Sequence, residues 1–252
     1  MTILHGMRVF ESSAFVALPL AGMQLAQMGA EVIRFDNLGG GLDHLRRPLA
    51  PNGESLFWHG LNKGKKSFAV NLKTEKGREL VTDLITSDGD DAGLFITNLR
   101  VAGWTDYESL KRKRADLIMV TLKGDRHGGP EVDYTVNPSL GIPHITGAEG
   151  STEPVANALP AWDCVAGNMV VSSLLAAERD RLRTGRGQDV EFALKDAAAA
   201  VIGHLGMIGE ATIYDQQRGK SGNSVYGAYG QDFECACGGR VVVIGLTLRQ
   251  WR

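Results

Sequence analysis

Residues 7–36 have the sequence MRVFESSAFVALPLAGMQLAQMGAEVIRFD, and this stretch decides the fold class. The pattern predicts a short apolar strand at 7–10, followed by a buried helix at 18–28 that ends at Gly29. A second apolar strand at 31–36 completes a strand–helix–strand unit. Such a unit places its two strands parallel to each other in one sheet.

The same alternation continues along most of the chain. Further strands and helices are predicted at 67–71, 74–85, 93–98, 107–112, 116–122, 163–183, 188–193 and 196–207. They indicate an α/β fold with a parallel, Rossmann-like sheet flanked by helices, which binds ligands at the carboxyl ends of its strands.

The composition of the sequence changes near residue 220. Residues 216–230 are polar and rich in glycine, and 232–245 is predicted to be a hairpin that turns at Gly238 and Gly239. We therefore expect a large α/β domain over 1–220 and the beginning of a smaller domain over 221–252. Because the chain stops soon after a helix-capping threonine, we also expect a truncated molecule.

Composition excludes several classes of protein. The chain has 252 residues, of which 43% are hydrophobic and 22% charged, and its formal net charge is −2. These values are typical of a globular protein with a full core, and a nucleic-acid-binding protein usually carries a strong basic excess. No uninterrupted apolar run of about 18 residues occurs, so no membrane span is expected.

The cysteines and histidines predict neither a disulfide framework nor a metal site. Cys164, Cys235 and Cys237 are few and odd in number, so a reducing cytoplasm is the expected compartment. The six histidines never reach the spacing of metal ligands. The first strand-to-helix turn, 11–17, contains no glycine and lacks the G-x-G-x-x-G fingerprint, which argues against an NAD-dependent enzyme.

Asp163 is the strongest candidate for a catalytic residue. It lies in the segment LPAWDCVAG at 159–167, directly before a long apolar stretch that leads to TGRGQ at 184–188. A carboxylate at the start of a helix lies beside unpaired backbone N–H groups, which favour its ionised form. An ionised carboxylate can be a covalent nucleophile. The alternative is that Asp163 only caps the helix.

Four segments in this order resemble the family III CoA-transferases, which include α-methylacyl-CoA racemases. They are 6–36, 62–77, the Asp163 segment with Asp133 upstream of it, and 184–188 followed by Asp196. Unusual strings such as ILHG at 3–6 and EVDYTVNP at 131–138 are most similar to members that act on mesaconyl-CoA within a single molecule.

The resemblance implies that Asp163 attacks an acyl-CoA thioester and then carries CoA as an aspartyl-CoA thioester. A carboxylate acceptor takes CoA from this intermediate, and the other carboxylate of the same mesaconate is the expected acceptor. An intermolecular transferase with a separate acid acceptor and an inactive CoA-binding fragment remain as alternatives. An aspartate with an ordinary pKa of about 3.9 needs no general base. The glycine-rich segment 222–230 corresponds to an active-site lid or to a flexible linker.

By the same resemblance, coenzyme A lies across the first sheet as part of the acyl-CoA substrate, with no permanently bound cofactor. The residues expected to contact it are Val16, Ala17, Val70, Asn71, Leu72, Lys73, Asn98, Leu99, Arg100 and, near the thiol end, Asp133. Positive charge for its phosphates is expected from Lys63, Lys65 and Lys66, which could equally be ordinary surface lysines.

The chain departs from the family pattern at three places. Val132 stands where racemases carry a histidine, and valine cannot move a proton, which argues against a racemase. Asn37 and Asp106 occupy positions at which several transferases place phosphate-binding arginines. Arg46, Arg47 or Arg100 could take over that role, or CoA could lie differently. The missing C-terminal part helps to tie the family's interlocked homodimer, which we expect for the full-length protein.

Overall fold

The structure is a computed structural model that describes residues 2–251. Six parallel strands form one sheet in the order β3-β2-β1-β4-β5-β6. Their bounds are β1 (Arg8–Ser12), β2 (Glu31–Asn37), β3 (Lys66–Val70), β4 (Leu94–Thr97), β5 (Ile118–Lys123) and β6 (Gln188–Ala193). All six were predicted from the sequence, to within a few residues at their ends.

The helices occupy the connections between strands. They are α1 (Ala17–Gln27), α2 (Leu56–Leu61), α3 (Glu75–Ile85), α4 (Tyr107–Lys111), α5 (Asp133–Ser139), α6 (Ile142–Ile145), α7 (Ala161–Thr184), α8 (Leu194–His204) and α9 (Met207–Tyr214). The predicted cap of α3 is confirmed, because the Thr74 hydroxyl accepts the Gly77 N–H at 3.2 Å. The helix predicted over 196–207 is wrong at its end, since Gly206 has φ +77° and separates α8 from α9.

The order of strands reverses beside β1, which has β2 on one side and β4 on the other. In open parallel sheets, ligands bind at the carboxyl edge next to such a switch point. Here that edge contains the turn between β1 and α1 and the residues that follow β4. Two of the segments in which the family resemblance predicts CoA contacts, 16–17 and 98–100, therefore lie at this edge.

Each face of the sheet is covered by different helices. On one face Phe10, Phe35 and Phe95 form the centre of an aromatic core that α3 and α4 cover. Phe35 and Phe95 are stacked with their ring centroids 6.3 Å apart. The opposite face, to which alternate strand residues point, packs against α1 and α7.

The chain divides into two compact units. The first comprises Met1–Glu131 and Ala161–Ala198 and contains the sheet; the second comprises Val132–Pro160 and Ala199–Arg252. This division differs from the predicted domains 1–220 and 221–252, which remain a prediction for the whole protein. The physical reason is that 132–160 bonds to the C-terminal segment, as in the 3.1 Å bond from the Gly222 N–H to the Gly147 carbonyl.

The second unit contains the predicted hairpin. Its strands are β7 (Tyr229–Glu234) and β8 (Arg240–Gly245), which pair antiparallel with Glu234 opposite Arg240. Gly238 has φ +78° in the connection between them, as a tight turn requires. In the part of the chain that the structure describes, no single helix has the length and apolar character to cross a membrane; α8 and α9 meet that criterion only as a bent pair, by length and composition alone.

Candidate active site

Asp163 lies in the first turn of α7, at the third residue of the helix. The helix begins two residues earlier than predicted, so Asp163 lies inside it and is not the residue that precedes it as a cap. Its side chain is half-buried, next to the buried Trp162. The first four backbone N–H groups of a helix have no intrahelical acceptor, and together with the helix dipole they favour a negative charge in this turn.

The orientation of α7 places Asp163 toward the carboxyl edge of the sheet. In the last turn of α7, the buried Arg181 donates hydrogen bonds to the carbonyls of Ala92 at 2.8 Å and Asp90 at 3.2 Å. Both carbonyls belong to the loop that leads into β4, so the end of α7 lies where the parallel strands begin. The start of the helix, with Asp163, therefore points to the edge where the strands end.

Close packing sets the first turns of α7 against the start of α1. Gly167 lies one turn after Asp163, and a Cβ atom at position 167 would be 2.7 Å from the carbonyl oxygen of Ala17. Glycine thus permits a backbone approach that any larger residue would obstruct. The contact brings the candidate nucleophile's helix to Val16 and Ala17, two of the predicted CoA contacts, both of which are buried.

Two side chains hold the turn between β1 and α1. The Asn98 amide accepts the Ala14 N–H and donates to the Ala14 carbonyl, each at 3.0 Å. The Asp43 carboxylate accepts the Phe15 N–H at 3.0 Å, and Phe15 has φ +69°, a strained value for an aromatic residue. Asn98 therefore uses its side chain to position the turn, which leaves its backbone for the predicted contact with CoA.

A buried charge cluster lies behind this turn. It consists of Glu11, Arg34, Asp36, Asp43, Asn62 and Lys65. The Arg34 guanidinium is fully buried and pairs with Asp36 at 2.8 and 3.1 Å and with Asp43 at 2.8 Å. Burial opposes its charge, but the hydrogen bonds and charges of Asp36 and Asp43 outweigh that effect and raise the pKa of Arg34.

Lys65 belongs to this cluster and cannot serve the phosphates of CoA, so that prediction is wrong. Its ammonium group donates to Glu11, to the Pro19 carbonyl and to Asn62, each at 2.8 Å, which uses all three N–H groups. Burial lowers the pKa of Lys65, and the charge of Glu11 opposes that shift. Lys66 pairs with Glu31 at the surface, and Lys63 is exposed.

The remaining predicted contacts in the first unit lie at two strand ends. Asn71 and Lys73 are exposed between β3 and α3, whereas Val70 and Leu72 are half-buried. The Leu99 N–H donates to the Thr97 hydroxyl at 2.9 Å. Arg100 forms an ion pair with Glu191 at 2.8 Å. Asn37 and Asp106, which replace arginines of other transferases, are structural: Asn37 accepts the Leu72 N–H, and Asp106 caps α4.

These features can be compared with known proteins. The family model for CoA-transferase family III matches residues 4–252.

The chain belongs to CoA-transferase family III. This membership confirms the resemblance inferred from the sequence, and the parallel sheet confirms the predicted fold class. The chain is 58% identical to 2-methylfumaryl-CoA isomerase of Chloroflexus aurantiacus over 99% of its own length and 61% of that protein. It is 34% identical to succinate–glutarate CoA-transferase of Agrobacterium fabrum, over 81% of the chain and 54% of that protein.

A solved structure of the same family supports the fold. The crystal structure of a CAIB/BAIF family protein from Brucella suis superposes with a TM-score of 0.82 at 28% sequence identity, over 94% of the chain and 65% of that protein. The chain thus spans about three-fifths of the length of 2-methylfumaryl-CoA isomerase.

Two predicted site features of this family III chain lie in the second unit. Asp133 is buried in the first turn of α5, and the exposed Val132 precedes it. The glycine-rich segment 222–230 is a folded turn in which the Val225 N–H donates to the Gly230 carbonyl at 2.7 Å. The roles of Asp133 in the CoA pocket and of 222–230 as a lid stay predictions.

The buried charge cluster was not predicted from the sequence of this family III chain, although the sequence contains one signal for it. Glu11 and Arg34 each adjoin a buried phenylalanine in their strand, and the register of β1 and β2 places the two charged residues side by side. Charged residues opposite each other inside apolar strands indicate a buried ion pair. Within residues 2–251 no group of three or more His, Cys, Asp and Glu side chains could hold a metal ion.

Proposed function

We propose that this protein is a CoA-transferase that moves CoA between carboxylates through an aspartyl-CoA thioester on Asp163. We further propose that its substrate is mesaconyl-CoA and that the transfer is intramolecular, from one carboxylate of mesaconate to the other. The observation that carries the proposal is Asp163 in the first turn of α7, in a chain 58% identical to 2-methylfumaryl-CoA isomerase. A cytoplasmic, interlocked homodimer is part of the same proposal.

The proposed first half-reaction moves CoA onto the protein. The Asp163 carboxylate attacks the thioester carbonyl, and the carbon–sulfur bond breaks to give a mixed anhydride and the CoA thiolate. The thiolate then attacks the aspartyl carbonyl of the anhydride. The mesaconate carboxylate leaves, and an aspartyl-CoA thioester remains.

The second half-reaction returns CoA to the substrate at its other end. The second carboxylate of mesaconate attacks the aspartyl thioester, which releases the thiolate and forms a new anhydride. The thiolate attacks the mesaconyl carbonyl of that anhydride, which yields the isomeric thioester and regenerates Asp163. No atom is oxidised or reduced, no water is consumed and no general base is required.

The surroundings of Asp163 suit this chemistry. The nucleophile must be ionised before it attacks, and the start of α7 favours the charged form of a carboxylate. Half-burial limits the water that could hydrolyse an anhydride. The neighbouring turn between β1 and α1 is held by Asn98 and Asp43, so the predicted CoA contacts Val16 and Ala17 are preorganised.

Intermolecular transfer to a separate acid is the second candidate function. It is favoured by the 34% identity to succinate–glutarate CoA-transferase. Purified protein incubated with mesaconyl-CoA and isotope-labelled free mesaconate separates the two candidates by mass spectrometry of the product. Intramolecular transfer gives the isomer without label, whereas intermolecular transfer gives labelled product. A protein that binds CoA but turns over neither way would be an inactive CoA-binding fragment.

The covalent step has its own test. Asp163→Ala should abolish turnover, because no other group then receives CoA. Borohydride should reduce the aspartyl thioester of the wild-type protein to an alcohol, which peptide mass spectrometry locates at position 163. Asp180→Asn, in the same helix, is the matched control, since an amide oxygen can still accept the hydrogen bond that Gln188 donates there. Full activity of Asp163→Ala would falsify the mechanism.

A further inference from the structure

We propose that Arg46 binds an anionic group of the acyl-CoA substrate; this inference rests on the proposed function and identifies a residue that recognises the substrate. The bound group is an anionic oxygen that accepts hydrogen bonds from the guanidinium N–H groups. It belongs either to a phosphate of CoA or to the free carboxylate of the acyl group.

The guanidinium of Arg46 lies against two aromatic rings. Its central carbon is 4.5 Å from the ring centroid of Phe57 and 5.5 Å from that of Phe15. Aromatic rings hold a guanidinium by its planar face and leave the N–H groups along its edge able to donate. The side chain is half-buried, so part of its hydration has been replaced by these rings.

Arg46 also has no carboxylate partner, in contrast to Arg34 and Arg100. Arg34 pairs with Asp36 and Asp43, and Arg100 pairs with Glu191. Over residues 2–251, no Asp or Glu oxygen lies within 4.0 Å of the Arg46 guanidinium. A partly desolvated guanidinium without a counter-charge favours an anion that arrives from outside the chain.

The backbone of Arg46 is fixed on both sides. Its N–H donates to the Asp43 carbonyl at 3.1 Å, and its own carbonyl accepts the hydroxyl of the buried Ser55. The same Ser55 hydroxyl accepts the Trp58 N–H and caps α2, the helix that carries Phe57. The buried Ser55 therefore holds both the backbone of Arg46 and the helix that carries Phe57.

The second ring connects Arg46 to the predicted CoA turn. Phe15 directly precedes Val16 and Ala17, and its N–H is held by the Asp43 side chain in the strained conformation with φ +69°. Strained backbone that the surroundings enforce is concentrated at functional sites. Asp43 thus positions both the ring of Phe15 and the backbone of Arg46.

The other candidate cations are less suited to this role. Lys65 has no N–H group left to donate, and Lys66 and Arg100 already pair with carboxylates. Arg47 is exposed and stacks on no ring among the described residues. Arg46 alone among these combines partial burial, ring support and freedom from an acidic partner.

The experiment measures binding by calorimetry for CoA, mesaconyl-CoA and crotonyl-CoA, which has no second carboxylate. Arg46→Ala should weaken binding about tenfold, the effect of about 1.4 kcal/mol, and Arg46→Lys should recover part of the loss. A phosphate ligand predicts an equal loss for all three compounds. A carboxylate ligand predicts a loss for mesaconyl-CoA only.

Two further variants separate binding from folding. Phe57→Leu keeps the guanidinium but removes one ring, and should weaken the same ligands to a smaller degree. Lys111→Ala removes a cation–π contact with Tyr107, at 5.2 Å, and should leave binding within about twofold of wild type, well under the tenfold step. Unchanged affinities in a folded Arg46→Ala variant, or a change in its oligomeric state alone, would overturn the inference.

The experiments distinguish failure of the inference about Arg46 from failure of the proposed function. A wild-type protein that does not turn over mesaconyl-CoA, yet binds CoA in a manner that depends on Arg46, contradicts the proposed function and supports the phosphate form of this inference. An active wild-type protein whose Arg46→Ala variant binds all three compounds normally contradicts the inference alone. Wild-type protein that binds none of them contradicts both.

Discussion

Replacing Asp43 by alanine removes the residue that joins the buried charge cluster to the turn between β1 and α1. The Asp43 side chain is 1% exposed, and it accepts hydrogen bonds from Arg34 at 2.8 Å and from the Phe15 N–H at 3.0 Å. Removing one partner of a buried ion pair costs about 3–5 kcal/mol. Arg34 keeps both of its bonds to Asp36, so we expect the lower end, about 3 kcal/mol.

The matched variant is Asp43→Asn. The cluster contains three carboxylates, from Glu11, Asp36 and Asp43, and two cations, from Arg34 and Lys65, so its formal charge is 2 − 3 = −1. Asparagine removes this excess while it retains one oxygen that can accept a hydrogen bond. We therefore expect a smaller loss than in the alanine variant, about 1–2 kcal/mol.

Urea denaturation followed by circular dichroism measures both losses as free energies of unfolding. A loss of 3 kcal/mol in a protein of this size corresponds to a decrease in Tm of roughly 6–12 °C. Binding of CoA should weaken in parallel, because Phe15 and the turn that follows it lose their anchor. An alanine variant within about 1 kcal/mol of wild type, or one more stable than the asparagine variant, would refute the reasoning.

Two further predictions concern packing and pH. Gly167→Ala places a Cβ 2.7 Å from the Ala17 carbonyl oxygen, so α7 must move and kcat should fall. The control Gly209→Ala meets nothing within 4 Å and should raise the free energy of unfolding by up to about 1 kcal/mol. Equal kcat values for the two variants in steady-state assays would contradict this prediction. Partial burial of its carboxylate and the neighbouring Glu191 raise the pKa of Asp189, although the residue as a whole is exposed. The ionised Asp189 carboxylate therefore destabilises the folded protein. This destabilisation is fully present above the pKa of the folded state and disappears as the pH falls through the pKa of the unfolded state. Asp189→Asn should therefore stabilise the protein at pH 7 but not at pH 3. The gain at pH 7 should be at most about 0.5 kcal/mol, because solvent screens the charge of this exposed residue. Melting curves at both pH values measure the effect, and a gain at pH 3 as large as at pH 7 would count against the prediction.

The strands and most helices could be predicted because their signals are local. Short segments in which apolar residues recur define the strands β1 to β6, and Thr74 lies where a threonine can cap the helix that follows. Asp163 was selected in the same way, from its predicted position at the start of a long helix, and its catalytic role stays a prediction. The end of α8 was misplaced because a glycine in the αL conformation is not visible in hydrophobic periodicity.

Contacts between distant residues could not be predicted in this way. Lys65 was expected to serve phosphates, since a lysine in a polar segment looks the same in sequence whether it is solvated or buried. Its three acceptors come from β1, from α1 and from the end of α2, and only the folded sheet brings them together. The assignment of 132–160 to the second unit likewise depends on bonds to residues about 70 positions away along the chain, such as Gly147 to Gly222.

By itself the sequence determined the parallel α/β architecture and, to within two residues, the start of the helix that carries Asp163, because periodicity and caps act over a few neighbouring residues. The family followed from segments that resemble those of known transferases. Only the tertiary structure decided which charges are available to a ligand. Whether a cation is saturated, as Lys65 is, or held open between rings, as Arg46 is, depends on the partners that burial selects. Those partners are distant in the chain, and the low polarity of the interior makes their presence or absence decisive.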